Sequence, residues 1–492
     1  MIKKLLLFIF ACLVALLVVM LARTLLFRSR QVSAGAVGVV SVDAAASAAR
    51  LAQALRFQTV SHEDPARFDR EAFLGLHRFF EETYPRVHAN LTRETVNEFS
   101  LLYTWPGAEP ALKPVVLMAH LDVVPIEEGT EERWSQPPFE GRVSEGFVWG
   151  RGALDDKAGV VGLLEAVETL ISEGFRPRRT VYLAFGHDEE AGGGAGAARI
   201  AELLRGRGVE PEFVLDEGGV VTKGIVPGIS APVALVATAE KGFVSVELSV
   251  ETEGGHSSRP PQQTAIGVLA AAVARLEATQ MSARFEGPTR RMLEYVGPEM
   301  AFGQRLVMAN LWLTRPLVVR QLLSSPTTAA SVRTTTAVTI FQGGIKDNVL
   351  PSRARAVVNF RIAPGDTSDG VVEHVRRVVA DARVRVEKVS ATVSEPSPES
   401  DANSASFALL QRTIREVYAE AVVAPYLSIG ATDARYYAPL TRNVYRFLPV
   451  TATTEDLARL HGTNERIAVE DFARTVVFYR QLIRNSAQLS GQ

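Results

Sequence analysis

The chain predicts an α/β fold built on a mostly parallel sheet, with a smaller α+β domain inserted into it. Three observations carry that expectation. Short, wholly apolar, strand-like runs alternate with helix-length stretches of helical period between residues 44 and 238. After Ala239 the pattern changes to longer strands with two helices, and the alternation resumes at Ala405. The composition is that of a globular protein, 47% hydrophobic and 22% charged, and 492 residues suit more than one domain.

The elements follow in order. Behind the basic Met1–Lys4, Leu5–Ala22 is apolar without a break, long enough to cross a bilayer. Arg23, Arg28 and Arg30 close the run with no clean small-residue cleavage site. Residues 1–30 therefore read first as a retained signal anchor, with an exported, periplasmic or extracellular catalytic domain. A cleaved signal releasing a secreted protein is the second reading. Basic residues flank both ends of the run and leave its orientation open. Residues 31–43 have the small, flexible composition of a tether.

Helices are expected over Ala44–Phe57, Arg67–Tyr84, Lys157–Glu173 and Ala195–Leu204. Strands are expected over Val115–Ala119, Thr180–Phe185 and Phe213–Leu215. These form the first part of a split catalytic domain, residues 44–238. Residues 239–395 form the inserted lid, with strands Gly242–Glu253, Ala337–Phe341 and Arg355–Ile362 and helices Ala265–Leu276 and Ser368–Ala382. Within it, Met281–Thr335 reads as extra helices beside the cleft. Residues 396–492 complete the catalytic domain, with helices Ala405–Tyr418 and Val469–Asn485 about the strand Val444–Leu448.

Charge and cysteine content narrow the function. Lys+Arg is 53 against Asp+Glu 55, a net charge of −2, and no basic cluster offers a footprint for nucleic acid. Cys12 is the single cysteine, which excludes an internal disulfide and thiolate zinc sites. A metal site in this chain has to use His, Asp and Glu.

Such residues gather at the ends of the expected strands, where open α/β sheets bind ligands. In His120-Leu121-Asp122 the two polar side chains share one side of an extended chain. His120 can then ligate a metal while Asp122 fixes its tautomer. Asp155-Asp156 follows Gly150-Arg151-Gly152 at the mouth of a helix, where one carboxylate can bridge cations or serve as a helix cap. His187-Asp188-Glu189-Glu190 follows an apolar strand; one carboxylate can ligate a metal while its neighbour acts as a base, or the run is a solvated acidic loop. Asp216-Glu217 repeats the pattern, and His461 precedes a glycine late in the chain. His120, Asp155 and Glu190 are spaced 35 residues apart, one strand-helix-strand unit each. The set suits zinc with nitrogen and oxygen ligands.

With those residues, the sequence resembles the two-zinc metallopeptidase and amidohydrolase family of aminoacylase-1, carboxypeptidase S and succinyl-diaminopimelate desuccinylase. The resemblance runs from about Ala45 to Ala487. Thr334–Phe341, Val358–Ile362 and Ser428–Asp433 resemble most the secreted vertebrate branch acting on N-fatty-acyl amino acids. It implies a dizinc exopeptidase-type catalytic domain with a dimerisation-type lid and two Zn²⁺ per subunit, replaceable by Co²⁺ or Mn²⁺. His120 and Asp216 would hold one ion, Glu190 and His461 the other, and Asp155 would bridge them; Glu217 is the alternative to Asp216. Glu189 would be the general base and Asp122 would orient His120. His256 resembles the lid histidine that supports the oxyanion, often across a homodimer. Asn348 and Arg361 resemble groups that bind a substrate carboxylate, and Asp433 and Arg435 lie in a motif that faces the cleft.

The implied activity is hydrolysis of the amide bond of N-acyl amino acids, long-chain acyl groups included. The substrate is a small molecule with a free carboxylate. A carboxypeptidase or dipeptidase on short peptides is the alternative, and a catalytically dead binding domain the distant one. His62, His77, His88 and His374 read as surface or helix residues and His187 as structural. Trp134, Trp149 and Trp312 read as packing residues.

Overall fold

The computed structural model describes residues 1–36, 42–62, 64–389 and 393–489. Much of the expected tether and part of the junction near residue 395 lie outside them. The helices are α1 Ile2–Leu26, α2 Ala44–Ala54, α3 Arg70–Thr83, α4 Lys157–Ser172, α5 Ala197–Gly206, α6 Ala265–Ala278, α7 Gly287–Val296, α8 Phe302–Ala309, α9 Leu311–Leu322, α10 Ser368–Val379, α11 Ala405–Val417 and α12 Val469–Ser486, apart from a few short turns. The strands that matter here are β1 Thr92–Val96, β2 Ser100–Trp105, β3 Val115–His120, β4 Val181–Gly186, β5 Phe213–Asp216, β6 Val233–Glu240, β7 Gly242–Glu251, β8 Gly255–His256, β9 Thr335–Gly343, β10 Val349–Leu350, β11 Arg353–Ile362, β12 Val384–Lys388, β13 Val422–Ser428 and β14 Val444–Arg446.

The main sheet has ten strands, and its centre runs β4-β3-β5-β14, all parallel. Every residue of β3 and β5 is buried, as a parallel sheet covered on both faces requires. Helices α2, α4, α11 and α12 cover one face and α5 the other. The edge departs from the parallel expectation. β1 and β2 add as an antiparallel hairpin beside β4, and β14 meets β6 antiparallel while β13 lies parallel to β6. β1 is half exposed, so it carried no apolar run to announce it.

Helix starts are chemically marked. Asp69 accepts from the amides of Glu71 and Ala72, and Thr264, Thr367 and Ser404 cap α6, α10 and α11 in the same way.

The lid is a four-stranded antiparallel sheet, ordered β9-β11-β7-β12, with α6 and α10 on one face and a core of its own. The extra helices over residues 281–335 are present as α7 to α9 and a short turn, but they do not belong to the lid core. Phe285, Leu293, Tyr295, Val296 and Val318 join the catalytic core, with α7 against β13, and α8 packs on α1. The insert thus docks on the flank of the catalytic domain and the root of α1. The start of the tether is likewise laid on the domain. The Gln31 amide group exchanges two hydrogen bonds with the Val423 backbone, at 2.9 and 2.8 Å.

Candidate metal centre

Three adjacent parallel strands end side by side and deliver the polar residues to one edge. His120 is the last residue of β3, Glu189 and Glu190 follow β4 in a short turn, and Asp216 ends β5. His120 is buried, and its Nε2 lies 2.8 Å from Asp155 Oδ1. Its Nδ1 lies 3.0 Å from the Asp122 carbonyl oxygen and 3.4 Å from Asp122 Oδ1. Nδ1–H therefore donates to Asp122, chiefly to its backbone, which frees Nε2 for a cation. The Asp122 carboxylate has a second task. It accepts from the amides of Glu189 and Glu190 at 3.1 and 3.0 Å and from Ser61 Oγ at 2.6 Å, clamping the acidic turn.

The two readings of the Asp155-Asp156 pair are both realised, on different residues. Asp156 caps α4 through the Gly159 amide, at 3.2 Å, and Asp155 is left to the centre. Its Oδ2 lies 3.1 Å from His461 Nε2, which in turn faces Glu190 Oε1 at 3.4 Å. His120, Asp155 and Glu190 each offer a donor atom within 4.8 Å of the others.

A buried ion pair that the sequence did not reveal holds this arrangement. Glu465 accepts from the amides of Leu154 and Asp155 at 2.8 and 3.2 Å and from Arg151 Nη1 at 2.7 Å. Arg151 Nη2 donates to the His461 carbonyl at 3.1 Å. No local signal marks a partner more than 300 residues away. His461 itself sits in the left-handed region, at φ 57°.

The electrostatics call for positive charge. Burial pushes the Glu189 carboxyl well above its ordinary range, and Asp433, Glu217 and Glu190 push it further. Burial raises Glu190 and Glu217 too, the latter with help from Asp155 first among its neighbours. Burial opposes ionisation of Asp155, but hydrogen bonds from His120 and His461 overcome it and hold its pKa below the usual range. His461, hydrogen-bonded to Asp155 and facing Glu190 at 3.4 Å, is raised to about 10. The buried Glu190 Oε1 has no hydrogen-bond donor. Crowded carboxylates that are neutralised only by protons are what divalent cations relieve. The donor set and the orphaned oxygen both fit a divalent metal ion.

The remaining expected residues divide. Asp216 is buried, and its Oδ2 accepts from the Ala434 amide at 2.7 Å. The Glu217 carboxylate beside it has no hydrogen bond among the described residues. Asp433 lies near the acidic cluster, with Asp216, Asp188, His120 and Asp122 as its charged neighbours. It is buried with both oxygens unpartnered, against glycines: a Cβ at Gly193, where φ is +67°, would stand 1.8 Å from Oδ1. Only glycine allows that approach. Arg435 donates to the Gly192 carbonyl at 2.8 Å, which ties it to the acidic turn.

Arg361 lies on β11 with its guanidinium over the Phe243 ring, 4.9 Å from the centroid. Burial and the nearby Arg435 weigh against its charge, and among the described residues it has no ion-pair partner. Lys241, which the sequence reading missed, adds a third cation beside Arg361; burial lowers it to about 8. His256 and Asn348 stand apart, on the exposed two-stranded ribbon of β8 and β10, where the Ser257 amide donates to the Asn348 carbonyl at 3.2 Å. His256 Nδ1 lies 2.8 Å from Ser258 Oγ, and among the described residues neither His256 nor Asn348 is hydrogen-bonded to a metal ligand. His187 is structural, with Nδ1 2.6 Å from Ser100 Oγ. His77 is a helix residue but buried, and Trp312 is 55% exposed, contrary to a packing role.

Comparison with known proteins matches this arrangement. The sequence profile of Peptidase family M20/M25/M40 matches residues 116–485. "Probable carboxypeptidase S-like 2" of Dictyostelium discoideum is 41% identical over 484 residues, covering 96% of this chain and 92% of the relative. "N-fatty-acyl-amino acid synthase/hydrolase PM20D1" of Xenopus tropicalis is 43% identical over 436 residues, covering 88% and 84%. The solved M20 family metallo-carboxypeptidase Sso-CP2 of Sulfolobus solfataricus shares the fold at TM-score 0.65 and 17% identity, over 91% of this chain and 100% of that one. A clustered His/Asp/Glu centre on a parallel sheet edge, a separate lid and these likenesses make the chain a member of peptidase family M20/M25/M40.

Proposed function

We propose that the chain is a zinc-dependent hydrolase of the amide bond in N-acyl amino acids, long-chain acyl groups included. One observation supports the substrate class above the others. Arg361, unpaired and close to Arg435, offers a planar cation to a free carboxylate next to the scissile amide. The vertebrate relative, whose name states action on N-fatty-acyl amino acids, supports the acyl group.

Two zinc ions held by His120, Asp155, Glu190, His461 and an acidic residue of the pair 216–217 would supply charge that acidifies water and polarises the amide carbonyl. Co²⁺ or Mn²⁺ are acceptable substitutes for such donors. Glu189 takes the proton of the attacking water and returns it to the leaving amine. A carboxyl held above its ordinary range by burial binds that proton more firmly than a solvated one before returning it. Asp122 holds Glu189 and Glu190 by their amides, and Arg361 orients the substrate carboxylate, joined by Asn348 from the ribbon of a second copy. His256 meets the oxyanion from that second copy, since among the described residues it is hydrogen-bonded to no metal ligand of its own chain. That requires a homodimer, for which the exposed β9 edge with Ile340 and Phe341 is a suitable face. α1 is retained as an anchor and the catalytic domain is exported.

The test is a panel of N-oleoyl amino acids, their carboxamide analogues and dipeptides, with zinc-loaded enzyme. Turnover of the N-oleoyl acids with loss on the carboxamides is expected. Preference for dipeptides favours instead the carboxypeptidase reading, for which the Dictyostelium relative speaks.

A further inference from the structure

The end of α1 does not leave the protein freely. Its last turns are clasped by the insert. Asn310 Nδ2 donates to the Met20 carbonyl at 3.1 Å, Arg23 Nε to the Ala309 carbonyl at 3.3 Å, and Arg305 Nη2 to the Phe27 carbonyl at 2.6 Å. Thr24 is buried in this joint. From Leu5 to Ala22 the apolar run rises about 27 Å, close to a hydrocarbon core of about 30 Å. The clasp, from Met20 to Phe27, stands at the end of that span, so α8 and α9 lie at the membrane surface when α1 spans. Their outward residues agree: Phe302, Trp312, Leu313 and Leu317 are all exposed. A tryptophan belongs at the level of the headgroups.

Between the root of α1 and the insert lies a cavity of about 420 Å³. Four arginines line it, Arg23, Arg30, Arg290 and Arg315, against one carboxylate, Glu294. Glu294 is shared by Arg30 at 3.4 Å and Arg290 at 3.2 Å, while Arg315 reaches only the exposed Glu286 at 3.6 Å. The cavity therefore keeps a surplus of positive charge. Phe27, Phe285, Met308 and Trp312 form its apolar walls. Phe285 and Arg315 also line a second, mostly apolar cavity of about 520 Å³ with Pro316, Val319 and Leu323. Cations above an apolar groove, at the point where an anchor meets the headgroups, match a molecule with an anionic head and an acyl tail.

We propose that this cavity binds an anionic phospholipid of the membrane that holds α1, its phosphate among Arg23, Arg30, Arg290 and Arg315 and an acyl chain along Phe285 and Val319. Arginines at the membrane surface are drawn to anionic headgroups. The occupant is set by continuity: the cavity wall is the anchor itself. It shares no lining residue with the metal centre, so it is a lipid site apart from the proposed acyl substrate site. The inference rests on the retention of α1 proposed above.

The full chain, in nanodiscs carrying phosphatidylglycerol with a photoreactive acyl chain, tests it. Mass spectrometry is expected to find the label in residues 281–323, displaced by unlabelled phosphatidylglycerol and not by phosphatidylcholine. Arg290→Gln with Arg315→Gln is expected to lower labelling at least about tenfold, the loss of charge-assisted pairs to phosphate. Turnover of the amide substrate should stay unchanged, which shows that the variant is folded. Equal labelling from a phosphatidylcholine probe, or labelling indifferent to the double variant, overturns the proposal. Displacement by oleate alone also overturns it, and gives the cavity to a free fatty acid. Loss of the Met1–Ala22 peptide from the mature protein would overturn the anchor reading and this inference with it, and is read separately in the same spectra.

Discussion

Asp216 and Glu217 carry the sharpest residue-level question. Adjacent residues at a strand end point to opposite sides, and Asp216 Oδ2 already accepts from the Ala434 amide. Glu217 has Asp155 as its foremost charged neighbour. Asp216 also has His120 among its charged neighbours, and the Ala434 amide engages only its Oδ2, so Asp216 is proposed as the ligand with Glu217 as the alternative. Metal analysis should find about one equivalent lost in Asp216→Asn and both retained in Glu217→Gln; the reverse pattern assigns Glu217. Glu465 makes a second test. Glu465→Gln leaves Arg151 buried beside a neutral partner and loosens the grip on Asp155. Zinc affinity, read by chelator competition, should fall about 10- to 100-fold, the usual cost of losing a residue that positions a ligand. An unchanged affinity would make the pair structural only. His120, Asp155, Glu190 and His461 could be read from sequence because each ends a strand or opens a turn. Arg151 with Glu465 could not, because a pair more than 300 residues apart leaves no local pattern. The tight seat of Asp433 is hidden for a related reason: the glycines that admit it, Gly186 and Gly193, lie in another segment.

At the scale of elements, α3 offers a pH test remote from the metal centre. His77 is buried, with Nε2 3.0 Å from the Phe99 carbonyl, and burial lowers its pKa to about 4. The folded state thus prefers the neutral ring. Below pH of about 6.5 the unfolded chain takes up a proton that the folded chain refuses. Stability from this residue is complete above that pH and falls as pH drops toward 4, by up to roughly 3 kcal/mol. The drop in thermal midpoint between neutral pH and pH 5 should be smaller in His77→Gln, whose amide can still donate to Phe99; an equal drop would refute the assignment. The elements themselves divide by burial. β3, β4 and β5 announced themselves as apolar runs because both faces are covered. The half-exposed β1 did not, and the antiparallel edge was missed with it. The insert was readable as helices, but its docking was not, because apolar faces of α7 to α9 do not say which surface they meet.

The whole molecule joins an N-terminal apolar helix, a ten-stranded main sheet and a separate four-stranded sheet, with His256 on an exposed ribbon. If a second copy supplies that histidine, the protein in detergent should elute as a dimer, and Phe341→Glu on the exposed β9 edge should yield monomers of much reduced turnover. Monomers with full turnover would assign His256 to closure of its own lid. The proposed hydrolysis turns on Glu189 as the base beside a metal centre that it does not build. The most direct measurement takes zinc content and turnover of an N-acyl amino acid from the same sample of Glu189→Gln. Full zinc content, with turnover reduced by at least about 100-fold as expected for loss of a general base, is the predicted result. Retained turnover at full zinc content would contradict it.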